Sequence, residues 1–166
     1  MYIEGDDMRL SGFTDADSAG SLVDRKITTR YCFNIASRMT SWCSRKHKSV
    51  ALSSTEFEYM AASTTSCEAI WLRKLLVNLF RRMEATRILC DNQSCIKLSK
   101  NPVFHDPSKH IDIKCHFVRD CVQRGAVHLR YTPTGEQVAD ILTKALGRTK
   151  FVYFREKMWM VKNPFQ

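Results

Sequence analysis

Between residues 54 and 80 the chain carries a long helical period, and no other stretch constrains the fold as strongly. Glu58, Ala62, Thr65, Ala69, Leu72, Leu76 and Leu79 recur at spacings of four and three, and Leu75 widens the face they form. A helix of this length needs an apolar surface to lie on, and the preceding third of the chain supplies one. Residues 9–17, 27–36 and 39–45 are short segments rich in β-branched and aromatic side chains. Turn-prone stretches around Gly20 and Ser37 separate them, as in an antiparallel meander.

After the long helix the period alternates again. Residues 86–90 read as a strand, and Asp91 and Asn92 offer N-capping chemistry for a helix of about two turns ending near Asn101-Pro102. Residues 111–124 are helical, Gly125 stops them, and 126–131 alternate as a last strand. Thr134-Gly135-Glu136-Gln137 has the form of a capping box opening a final helix through Leu146, which Gly147 ends. Three strands followed by helices alternating with two more strands predict an α/β domain, a mixed sheet covered by helices.

The 166 residues suit one domain. Its expected parts are a lead-in over 1–8, the domain over 9–147, and a basic, aromatic-rich extension over 148–166. Trp159 and its aromatic neighbours are expected to dock the extension on the same domain. No apolar run approaches the roughly 18–20 residues of a membrane span, and the N-terminus lacks a signal-peptide core. The expectation is an intracellular protein without membrane contact. Twenty-six Lys and Arg against seventeen Asp and Glu leave a net charge of +9, which points to a polyanionic partner such as nucleic acid. Seven cysteines, an odd number with no CxxC pair, argue for reduced thiols rather than disulfides or a zinc ribbon. His110, Cys115, His116 and Cys121 mix good zinc ligands, but their spacing matches no zinc pattern.

Four carboxylates fall at element ends: Asp15 late in the first strand, Glu58 in the first turns of the long helix, Asp91 just after the fourth strand, and Asp140 near the start of the last helix. Such ends can converge on one spot. Clustered acids repel and raise one another's pKa unless divalent cations neutralise them, and oxygen-only ligands suit Mg²⁺ or Mn²⁺. Each acid also has a simpler explanation. Asp17 shares the strand face of Asp15, and pattern alone does not choose between them. Asp91 could be an N-cap, and Asp140 could simply favour a helix dipole. Ser53-Ser54-Thr55-Glu56 fits a capping box, so Glu56 has a structural task, whereas Glu58 lies about 200° round the helix from it and leads the buried stripe. A buried acid needs a metal or a hydrogen-bonding partner.

The strings GFTDADSAG, ALSSTEFEYMA, CDNQSCIKL, KHIDIKCHFVRD and YTPTGEQVADILTKAL, in this order over roughly residues 9–147, resemble the ribonuclease H domain of copia-type LTR retrotransposon Pol polyproteins. The resemblance implies a ribonuclease H-like fold, a five-stranded mixed sheet flanked by helices. It further implies a metal-dependent endonuclease that hydrolyses the RNA strand of RNA·DNA hybrids and leaves 5′-phosphate and 3′-hydroxyl ends. Motif by motif, Asp15, Glu58, Asp91 and Asp140 become the catalytic and metal-binding acids, holding two Mg²⁺ ions with Mn²⁺ as a substitute. Ser54, Thr55, Asn92 and Gln93 become candidates for contact with the hybrid. The implied partners are the hybrid duplex and a reverse transcriptase domain of the same polyprotein, in a cytoplasmic particle or the nucleus. Relatives commonly have Trp, Gly and Ala where this chain has Ser18, Arg30 and Phe57, and residues 131–135 lack the mobile His of cellular ribonucleases H.

The basic run Arg45-Lys46-His47-Lys48 lies between the third strand and the long helix, as a solvated turn or as a phosphate contact through Arg45, Lys46 and Lys48. Lys97, Lys100, Lys109, Lys114 and Arg119 could track a phosphate backbone with salt-sensitive affinity. Two other functions compete. One is a catalytically weak or host-adopted binding module of the same fold, since fold alone does not secure activity. The other is an integrase-type strand transferase, which the Glu on the helix after the third strand disfavours.

Overall fold

The computed structural model describes residues 9–17, 26–36, 38–50, 54–80, 84–100, 109–142, 144–158 and 160; side chains at 26–27, 48–50, 54, 80 and 109–115 lie outside that description. Five strands, β1 (Leu10–Asp17), β2 (Lys26–Ile35), β3 (Arg38–Val50), β4 (Thr86–Cys90) and β5 (Val127–Tyr131), form one sheet in the order β3-β2-β1-β4-β5. The β1–β2 and β2–β3 pairs are antiparallel, whereas β1–β4 and β4–β5 are parallel. The helices are α1 (Ser54–Phe80), α2 (Gln93–Lys100), α3 (Lys109–Gln123) and α4 (Arg148–Lys157). The expected mixed α/β sheet is therefore present.

Alternation along β1 and β2 divides the core between the two faces of the sheet. Leu10, Tyr31, Phe33 and Ile35 point to one face and pack with Tyr59, Ala62, Ala69, Leu72 and Leu76 of α1 and Val118 of α3. Cys32 points to the other face and packs with Val138, Phe154 and Met158. Gly12 is needed on the first face: a Cβ there would lie 2.6 Å from Cε1 of the fully buried Phe33 ring. The second cluster shows α4 folding back onto the sheet through Phe154, while Trp159 and residues 161–166 lie outside the described residues.

Several expectations change. β3 continues to Val50, so Arg45 and Lys46 sit on an edge strand paired with Thr29 and Thr28, not in a turn. Leu75 and Leu79 do not join the buried face and are 46% and 72% exposed. A helix packed on one side buries a narrow stripe; Leu75, about 60° round from Leu72, falls outside it, and Leu79 lies in the last turn. The predicted final helix is instead two 3₁₀ turns, Thr134–Glu136 and Val138–Leu142. Thr134 caps nothing, because its hydroxyl donates to Asp91 Oδ2 at 3.0 Å. Among the described residues no helix is long and apolar enough to cross a membrane.

Candidate metal centre

Asp15 lies opposite Arg30 in the antiparallel β1–β2 register, so both side chains leave the same face of the sheet. Arg30 Nη1 donates to Asp15 Oδ2 at 2.6 Å and Nη2 to Asp17 Oδ2 at 2.5 Å. Asp15 is 2% exposed, and burial pushes its pKa up to about 6; Lys144 and Arg30 pull it down, while Asp140 and Asp91 push it further up. The two acids that strand geometry left equivalent are thus separated by depth: Asp15 lies within the cluster and Asp17 towards its rim.

Glu58 comes from the second turn of α1 and is buried, while Glu56 is only half-buried. Burial, with Cys90, Asp15 and Asp91 nearby, pushes its carboxyl up to about 9 against the Ala16 amide, which lowers it. The Cys90 thiol lies 3.9 Å from Glu58 Oε2, and ligand atoms of Glu58, Cys90 and Asp91 all fall within 4.8 Å of one another. Asp91 follows β4 directly and is not the cap of α2. Asn92 fills that role, its Oδ1 accepting from the Cys95 amide at 3.0 Å, so Asp91 stays available to the cluster.

Asp140 arrives on the second 3₁₀ turn and is 1% exposed. The buried Gln137 anchors this segment, its Nε2 donating to the Thr14 carbonyl of β1 at 2.8 Å. Lys144, one turn on, places Nζ 2.6 Å from Asp140 Oδ1 and 3.6 Å from Asp15 Oδ2, and Lys150 lies 3.9 Å from Asp140 Oδ2. The four predicted acids therefore come together from β1, α1, the end of β4 and the last 3₁₀ turn.

The donor set fits a divalent cation. Asp140 Oδ1 is buried, and its charge is met by the Lys144 ammonium at 2.6 Å. Burial raises the carboxyls of Glu58 and Asp15 above the ordinary range, and neighbouring acids add to the shift. Hard carboxylate oxygens suit Mg²⁺ or Mn²⁺, with the softer Cys90 thiol beside them.

The other candidates scatter. Thr55 is half-buried near the start of α1, and Gln93 is exposed at the start of α2. The Asn92 carboxamide oxygen is already engaged as a cap. Arg45 and Lys46 are exposed on β3, where alternation puts Lys46 on the Asp15 face of the sheet and Arg45 on the other. The side chains of Ser54, Lys48, Lys109, His110, Lys114 and Cys115, and all of Ser18, fall outside the described residues. Lys97 and Lys100 are exposed, whereas Arg119 reaches the Leu98 carbonyl at 3.4 Å. Phe57 packs beside Met60 and Ala16. Sequence reasoning missed Lys144, Gln137 and Cys90. The spacing of Lys144 four residues after Asp140 was the available signal for the first.

The five-stranded sheet with three antiparallel strands and two parallel additions is the ribonuclease H fold. Over 79% of this chain and 90% of the other it matches ribonuclease H1 from the halophilic archaeon Halobacterium salinarum, with a TM-score of 0.55 at 9% identity. LC11-RNase H1, solved in complex with RNA/DNA hybrid, matches over 78% of this chain and 88% of its own with a TM-score of 0.53 at 8% identity. In sequence the chain is homologous to retrovirus-related Pol polyproteins of plant transposons. It is 42% identical over 159 residues to that of transposon TNT 1-94 of Nicotiana tabacum and 40% over 162 residues to that of transposon RE1 of Arabidopsis thaliana. The match covers 96% and 97% of this chain but only 12% and 11% of those polyproteins. No protein-family model matches. Fold and relatives together support a ribonuclease H-type nuclease.

Proposed function

We propose that this domain is a divalent-metal-dependent ribonuclease H that hydrolyses the RNA strand of RNA·DNA hybrids during reverse transcription, alongside a reverse transcriptase of the same polyprotein. The observation that carries this reading is the meeting of Asp15, Glu58, Asp91 and Asp140 from four separate elements. These acids would hold Mg²⁺ or Mn²⁺. Two such ions supply an activated water and charge neutralisation at the departing 3′-oxygen. Arg30 holds Asp15 in one orientation, and Gln137 holds the Asp140 segment against β1. The exposed Lys46, on the sheet face of Asp15, and Lys97 and Lys100 would neutralise duplex phosphates. The hybrid-bound ribonuclease H1 of the same fold is consistent with that partner.

Labelled RNA·DNA hybrid and double-stranded RNA, each incubated with the protein in Mg²⁺, Mn²⁺ or EDTA, test the proposal. Metal-dependent cutting confined to the RNA strand of the hybrid is expected. Binding without cutting under every condition would favour the non-catalytic module instead.

A further inference from the structure

Arg30, Lys144 and Lys150 stand beside the acids, and the first two differ in kind. Arg30 is 2% exposed and forked between Asp15 and Asp17, so it is built into the sheet. Lys144 is a flexible side chain, 32% exposed, reaching in from the mouth of the cluster. Its ammonium contacts the first and last acids together, Asp140 Oδ1 at 2.6 Å and Asp15 Oδ2 at 3.6 Å. An ammonium between two buried carboxylates marks a place where a bridging cation is electrostatically favoured.

We infer that Lys144 is the resident counter-ion of this centre, holding Asp15 and Asp140 together before metal arrives and giving way to a divalent ion when it binds. The inference rests on the metal-binding reading proposed above. Three features support the exchange. The ammonium carries a single charge, so a divalent ion replaces it with a net gain of positive charge between two buried carboxylates. Its one-third exposure gives it a path to water, which Arg30 lacks. Lys150, 3.9 Å from the other Asp140 oxygen, stays to hold that carboxylate while Lys144 leaves. Lys144 is accordingly a positioning residue of the metal-free protein and a competitor of the metal.

The test is thermal unfolding of the full chain and its Lys144→Met, Lys144→Arg and Asp91→Asn variants, in EDTA and across a Mn²⁺ titration. Lys144→Met should unfold at a lower temperature than the parent in EDTA. It should half-saturate at about tenfold less Mn²⁺, the effect of losing one partly screened ion pair, and converge on the parent at saturation. Lys144→Arg should restore the parental half-saturation point. Electron paramagnetic resonance of free Mn²⁺ reads the same affinity ratio independently of the unfolding transition. An unchanged affinity in Lys144→Met, or a stability deficit that stays constant at every Mn²⁺ concentration, would overturn the inference and leave metal binding intact. A parent protein that responds to Mn²⁺ no more than Asp91→Asn would overturn the metal reading itself, and the inference with it.

Discussion

Arg30 Nη1 lies 2.6 Å from Asp15 Oδ2, with the two side chains 2% and 4% exposed, so the first acid of the candidate centre is half of a buried ion pair. The β1–β2 register causes this directly, because Asp15 and Arg30 are cross-strand partners.

Removing one partner of a buried pair leaves the other charge uncompensated. Arg30→Met should cost about 3 kcal/mol in EDTA, read as a lowered urea midpoint with an unchanged slope. A loss within about 0.5 kcal/mol, the usual range of surface substitutions, would mean that the pair does not constrain Asp15.

The raised carboxyls make stability depend on pH. Glu58 is pushed from an ordinary 4.5 up to about 9 and Asp15 from 3.8 up to about 6. The metal-free fold therefore retains protons that the unfolded chain releases, and stability must fall as pH rises through this window. Urea unfolding in EDTA should show a decline between roughly pH 4.5 and pH 9, and Glu58→Gln should flatten it. A parental profile no steeper than that of Glu58→Gln would refute the assignment.

Gln137 joins the last acid's segment to β1 through the Thr14 carbonyl. Gln137→Leu should leave that buried acceptor unpaired at a cost of about 1–3 kcal/mol. Comparing it with Glu136→Leu, at an exposed position in the preceding 3₁₀ turn, separates the lost bond from a general effect on the segment.

Gly12 and Gly135 give opposite expectations for the same change. An added methyl at Gly12 meets the Phe33 ring at 2.6 Å, whereas at Gly135 nothing lies within 4 Å. Gly12→Ala should destabilise by about 1–3 kcal/mol and Gly135→Ala by less than about 0.5 in chemical denaturation. Equal effects at the two sites would contradict the packing described.

What was legible in the sequence follows from which interactions are local. Ser54–Phe80 was readable end to end because a long one-sided period repeats every turn. β3 runs past Arg45 although Arg45 and Lys46 carry no strand signal, because an edge strand needs no apolar side chains where it is exposed. Thr134 and Glu136-Gln137 look like a helix cap in sequence, yet the Thr134 hydroxyl serves Asp91, forty-three residues away. The positions of the four acids at element ends were visible. The groups that hold them, Arg30 across β1–β2 and Gln137 against Thr14, depend on cross-chain register, which no local pattern encodes.

Asp15, Glu58, Asp91 and Asp140 are proposed to act as one metal centre. The most direct measurement is single-turnover cleavage of an RNA·DNA hybrid in Mg²⁺ by the parent and by Asp15→Asn, Glu58→Gln, Asp91→Asn and Asp140→Asn. Each variant, confirmed folded, should lose at least about a hundredfold in rate, as expected when a group acting in the transition state is removed. A parental rate in any one of the four variants would contradict a four-acid metal centre.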